Sequence, residues 1–146
     1  MIPVVVESVS YEAQGSMYRV NLKEETTGKV LPIFVGAFEG NAIAMALRGI
    51  PAARPLTHDL MANLIESLDG EVLRIVVSDL RDNIYYAFIY IRQDGKELAV
   101  DSRPSDAIAL AMRLGVPIFV VKKLEEKFVD ELEEILSKTE PGETMH

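Results

Sequence analysis

Two nearly identical apolar runs constrain this chain more than any other feature. "NAIAMALRGIP" fills positions 41–51 and "DAIALAMRLGVP" fills 106–117. Asn41, Ala42, Ile43 and Arg48 stand 65 positions before Asp106, Ala107, Ile108 and Arg113. After a one-residue insertion, Gly49-Ile50-Pro51 matches Gly115-Val116-Pro117. A constant offset of this kind points to an internal repeat. Each run is apolar nearly all round, which is the pattern of a buried helix. Ala42, Ala44 and Ala46, and likewise Ala107, Ala109 and Ala111, would let a backbone or sheet approach closely.

The flanking segments repeat too. "SMYRVNLKEETTGKVLPIFV" resembles "NIYYAFIYIRQDGKELAV", and each reads as two strands around a turn, at Thr26-Thr27-Gly28 and Gln93-Asp94-Gly95. Asp-Gly between alternating hydrophobics is a strong hairpin signal. One more strand precedes each hairpin, "PVVVESVSY" and "EVLRIVVSDL". After each apolar run comes an amphipathic helix. The first carries Leu60, Met61, Leu64, Ile65 and Leu68; the second carries Phe128, Val129, Leu132, Ile135 and Leu136 on an otherwise acidic, solvated surface helix. The expected fold is α+β: duplicated β-β-β-α-α units with two buried apolar helices packed against mainly antiparallel sheet. One domain spans 1–138, built of repeats of about 1–69 and 70–138, and 139–146 is expected to be a flexible tail. The two helices should lie near a pseudo-twofold axis, so that the polar groups at their entrances share one hollow.

Charge and composition then exclude whole classes of function. The formal net charge is −8. From Lys122 to the end there are 4 Lys and 8 Asp or Glu, half of the excess, and no cluster of Lys and Arg occurs anywhere. Tight non-specific binding of a polyanion needs such a cluster. The chain has no cysteine, which excludes disulfides, thiolate zinc sites and Cys nucleophiles. No apolar run reaches the ~18 residues of a membrane span. "MIPVVVESVS" lacks a basic n-region, so no signal peptide and a cytoplasmic location are expected.

Residues with chemistry gather at the helix entrances. In Arg103-Pro104-Ser105-Asp106 the proline suits the first helical position and pushes Arg103 out of the α region. Arg103 then becomes the N-cap, where its charge opposes the helix dipole, and Asp106 becomes the third helical residue, where its charge complements it. Arg103 either pairs with Asp101 or Asp106, or holds an anion such as phosphate. "RPLTHDL" repeats the arrangement at Arg54, with Thr57 as the expected N-cap and His58 and Asp59 in the first turn. His58 is either structural or a general acid, base or metal ligand. Glu39, at the first apolar helix, is either a helix-dipole carboxylate or, facing Asp101, part of an oxygen site for Mg²⁺ or Mn²⁺. No P-loop, GxGxxG, HExxH or GxSxG is present.

Three segments, "LPIFVGAFEGNAIAMAL", "RPLTHDLMANLIESL" and "VDSRPSDAIALAMRLGVPIFV", resemble the bifunctional nuclease domain family from about Leu31 to Val121. The resemblance implies hydrolysis of DNA and RNA phosphodiesters by a compact α+β domain that oligomerises. The motif positions carried over are Glu39, Arg54, Thr57, His58, Asp59, Asp101, Arg103, Ser105 and Asp106. The expected division is catalysis by His58, Asp101, Arg103 and Asp106; phosphate binding by Arg54, Arg103, Thr57 and Ser105; and a divalent cation, Mg²⁺ or Mn²⁺, on Glu39, Asp101 and Asp59. Nucleic acid is then a weakly bound substrate, and the chain a homo-oligomer. Two other readings stay open: a non-catalytic module that binds an anion or a partner at the same entrances, and ion pairs that fasten the two halves.

Overall fold

The computed structural model describes residues 1–12 and 14–138; the expected tail at 139–146 lies outside the described residues. Strands β1 (Ile2–Glu12), β2 (Met17–Lys23) and β3 (Val30–Val35) lead into helices α1 (Ala37–Leu47) and α2 (Thr57–Ser67). Strands β4 (Glu71–Arg81), β5 (Ile84–Gln93) and β6 (Lys96–Ser102) lead into α3 (Pro104–Leu114). A short strand β7 (Ile118–Val120), a 3-10 turn (Lys122–Lys127) and α4 (Glu131–Lys138) complete the α+β fold.

One seven-stranded sheet runs in the order β3-β2-β1-β7-β4-β5-β6. Every pairing is antiparallel except β4 with β7. The hairpins form where turn chemistry demands: Asp94 and Gly95 both adopt positive φ (50° and 73°), as a two-residue hairpin turn requires. In β1 the residues Ile2, Val4 and Val6 are buried and Pro3 and Val5 exposed. That period-two pattern turns one face of the sheet toward the helices. Val20, Leu22, Ile75, Val77, Ala87 and Ile89 continue this face as the core beneath α1 and α3.

The structure departs from the sequence expectations in four places. First, β7 was not foreseen. It enters the middle of the sheet, pairing Ile118 with Val4 on β1 and with Ile75 on β4. Second, only one of the two helices buries its apolar run. Ala107, Ile108, Ala109, Leu110 and Ala111 of α3 are at most 3% exposed, whereas α1 buries only Gly40 and Ile43. Third, the stripe on α2 divides. Met61 and Ile65 pack on the core, while Leu60, Leu64 and Leu68 face outward. Fourth, no helix runs through Phe128 and Val129. Val129 instead bridges to Val30, exchanging backbone hydrogen bonds of 2.8 and 2.9 Å, and α4 starts after it. Nor is the acidic face of α4 simply solvated, because Glu134 accepts two hydrogen bonds from the buried Arg19 (2.6 and 3.1 Å). Arg19 also donates to Asn21 at 2.9 Å, so its charge is satisfied on the outer face of β2. No helix among the described residues is long and apolar enough to cross a membrane.

Candidate functional site

The first turns of three helices converge. At α3 the expected geometry forms: Arg103 is the N-cap in an extended conformation, Pro104 follows, and Asp106 occupies the third helical position. At α2 the cap shifts by one residue. Leu56 rather than Thr57 is the N-cap, and Thr57, His58 and Asp59 form the first turn. The carboxylate of Asp59 explains the shift, since its Oδ2 accepts the Leu56 N–H at 2.9 Å and satisfies an otherwise orphaned donor. At α1 the N-cap is Gly36 and Glu39 stands in the first turn.

His58 and Asp106, far apart in sequence, meet with Nε2 to Oδ1 at 3.0 Å. The imidazole is nearly buried, at 10% side-chain exposure, and the carboxylate is about one-third exposed. The neighbouring Asp59 accepts from Nε of Arg113 at 2.5 Å. Asp106 and Arg113 lie two turns apart on one face of α3. Adjacent residues of α2 therefore grip α3 at both ends. The Leu56 N–H holds the Asp59 carboxyl below its ordinary range, and Arg113 and His58 add to this against the opposing effect of partial desolvation.

Two solvent-connected cavities flank His58. The larger, about 530 Å³, lies under the loop at 49–56 and is lined by Arg54, Asp59, Asn63 and Arg113 beside apolar residues of α1. The smaller, about 220 Å³, is lined by Phe38, Glu39, Asn41, Thr57 and Asp106. Ala42, Leu56 and His58 belong to both. The larger cavity thus carries two guanidinium groups and the Asp59 carboxylate, and the smaller carries the carboxylates of Glu39 and Asp106. Arg54 makes no ion pair among the described residues; Arg113 is committed to Asp59.

The expected site residues divide accordingly. Glu39, Arg54, Thr57, His58, Asp59 and Asp106 line one cavity or both. Asp101, Arg103 and Ser105 line neither. Asp101 is exposed on the edge strand β6, paired across from Phe88. Arg103 is exposed at the cap of α3, and of its two readings the ion pair with Asp101 or Asp106 is not formed. Ser105 is buried at 4%. Glu39 lines the smaller cavity, and Asp101 lines neither. Among the described residues, no three His, Asp or Glu side chains gather so as to hold a metal ion.

Sequence reasoning missed Phe38, Asn41 and Arg113. The signals were present. Arg113 is two helical turns beyond Asp106, and Asn41 is the position matching Asp106 in the first apolar run.

Comparison with known proteins places these motifs in a family. A bifunctional nuclease domain profile matches residues 20–131. An uncharacterized protein of Mycobacterium tuberculosis is 38% identical over 99 residues, covering 68% of this chain and 58% of its own length. Bifunctional nuclease 2 of Arabidopsis thaliana is 32% identical over 104 residues, covering 69% of this chain and 32% of its own. Bifunctional nuclease 1 of Oryza sativa subsp. indica is 29% identical over 104 residues, with 69% and 31% covered. The chain thus spans a little over half of the mycobacterial relative and about a third of the plant ones. Its three motif segments, its α+β sheet and this profile agree, and the chain belongs to the bifunctional nuclease domain family.

Proposed function

We propose that this chain hydrolyses phosphodiester bonds of RNA and DNA at the cleft around His58. One observation carries the reading: the 3.0 Å contact of His58 with Asp106 between a cavity that holds Arg54, with Arg113 paired to Asp59, and one that holds Glu39 and Asp106. A carboxylate on Nε2–H selects one tautomer and leaves Nδ1 as a base. In this reading His58 takes a proton from the attacking water, which forms the new P–O bond. The bond to the leaving oxygen breaks, and that oxygen recovers a proton. Asp106 orients the imidazole and stabilises its charged form. Arg54 binds the phosphate, and Arg113 acts through Asp59 by holding the start of α2. Asp101, Arg103 and Ser105 stay outside the proposed chemistry. No step is routed through the expected Mg²⁺ or Mn²⁺.

The test is cleavage of single-stranded RNA and DNA by highly purified protein with Mg²⁺, with Mn²⁺ and with EDTA. His58→Gln and Asp106→Asn, checked for folding by circular dichroism, should lose about 10²- to 10⁴-fold in rate, the scale of a general acid–base group. Undiminished cutting by folded His58→Gln would reject the reading and indicate a contaminating nuclease. Cutting that survives EDTA would remove the cation.

A second reading, a non-catalytic binding module, is favoured by the outward ridge of Leu56, Leu60, Leu64 and Leu68 on α2, each 43–66% exposed. Residues four apart form one row on a helix, and this row is the surface we assign to the expected homo-oligomer. Light scattering of Leu60→Lys, Leu64→Lys protein tests it. A mass equal to that of the unaltered protein removes the ridge as an interface.

A further inference from the structure

Phe38 is the most exposed of the large hydrophobic residues described, at 90%, and nothing in the fold accounts for it. It sits in the first turn of α1, on a rigid element, at the rim of the smaller cavity. The polar wall beside it consists of Glu39, Asn41, Thr57 and Asp106. We infer that Phe38 is a stacking platform for one nucleobase of a single-stranded nucleic acid. The base would lie in the smaller cavity with its phosphate across His58 toward Arg54. This deepens the nuclease reading above and rests on it.

Charge decides the orientation. Two carboxylates, Glu39 and Asp106, line the smaller cavity and repel a phosphate, while Arg54 stands in the larger one. A nucleotide is anionic at one end and a flat, hydrogen-bonding ring at the other. Only one orientation puts the ring against Phe38 and the anion against Arg54. Asn41 and the carboxylates are suited to the amino edges of guanine, adenine or cytosine. An aromatic face accepts a base only when that base is unstacked, which selects single strands over duplex. A lone arginine at the anion end also agrees with a chain whose overall charge is −8, since affinity then comes from the ring more than from polyanion attraction.

The chain has no tryptophan, so Phe38→Trp introduces a single indole at this rim. The probe is a 2′-O-methyl RNA hexamer, titrated against Phe38→Trp protein by fluorescence. Parallel arms use an abasic hexamer, inorganic phosphate and the duplex form. Saturable quenching by the base-bearing single strand is expected, at least tenfold weaker with the abasic strand and absent with phosphate or duplex. In cleavage assays Phe38→Ala should raise KM about five- to a hundredfold with kcat nearly unchanged, and Phe38→Trp should restore KM. An indole that does not respond to the hexamer, equal affinity for the abasic strand, or native KM in Phe38→Ala would each overturn the assignment. So would a blue-shifted, concentration-dependent indole emission without ligand, which would mean that a second copy covers the residue. The His58→Gln protein separates this proposal from the nuclease reading. It should bind the hexamer without cutting RNA. Cutting by His58→Gln sinks the nuclease reading, whereas loss of quenching in a chain that still needs His58 sinks only the stacking platform.

Discussion

Helices α1 and α3 carry nearly the same stretch of sequence, yet α3 buries its apolar run and α1 leaves most of its own half-exposed. Ile43 and Ile108, at matching positions, are both fully buried. Around them the helices diverge: Ala42, Ala44, Met45 and Ala46 are half-buried, while Ala107, Ala109, Leu110 and Ala111 are buried. Both helices end at a glycine with positive φ, Gly49 (68°) and Gly115 (71°), each with a proline two residues later. The difference begins after the proline. Pro117 leads into Ile118-Phe119-Val120, β-branched and aromatic residues that enter the sheet as β7 and draw α3 down with them. Pro51 leads into Ala52-Ala53-Arg54-Pro55, which has no strand-forming residues and arches over the larger cavity. The apolar run of α3 serves the core, whereas α1 lends residues on several turns to the cavities.

The sharpest way to break this comparison is truncation at one matched pair. Leu110→Ala in α3 should cost about 2–5 kcal/mol, the range for a buried leucine. Met45→Ala at the matching site of α1 should cost markedly less, because that side chain borders a cavity. Urea unfolding measures both, and equal losses would refute the asymmetry. Gly40→Ala should be intermediate, at about 1–3 kcal/mol from overpacking, since an added Cβ would lie 2.6 Å from the ring of Tyr18. The equivalent residue in α3 is Ser105, which already carries a Cβ. Gly49→Ala and Gly115→Ala should each cost about 1–2 kcal/mol. Nothing lies within 4 Å of either added Cβ, so the loss is conformational and nearly equal in the two halves.

The smallest effect concerns the grip of α2 on α3. Arg113→Ala should lower stability by no more than about 1 kcal/mol, because the pair is partly exposed and screened by solvent. The Asp59 carboxyl titrates below its ordinary 3.8 in the folded chain. Its contribution is therefore complete above about pH 3.8 and lost as pH falls through the lower, folded value. Melting temperatures of the native chain and Asp59→Asn should differ at neutral pH and converge in acid. A difference of the same size at neutral pH and in acid would contradict this assignment.

Much of this was legible in the residues. The hairpin at Asp94-Gly95, the Arg103 cap and the helical position of Asp106 follow from local stereochemistry alone, and the structure contains them. The cap of α2 was misplaced by one residue, because Thr57 is a good cap by type but Asp59 reaches back to the Leu56 N–H. Strand β7 was missed because a three-residue apolar run has no periodicity to read, although Ile118 and Val120 carry the propensity. Asp101 and Arg103 drew attention through their charge, yet an edge strand and an exposed cap carry them away from the cavities.

The order of the residues alone determined the two three-strand runs, the helices that follow them, the cap of α3, and which residues carry charge at the helix entrances. These depend on backbone preferences and hydrogen bonds only a few residues long. The tertiary structure alone decided that β7 would seal α3 and leave α1 beside a cleft, and that His58 would meet Asp106 rather than solvent. Such contacts join residues dozens of positions apart. They depend on how whole elements pack, and no local pattern encodes that.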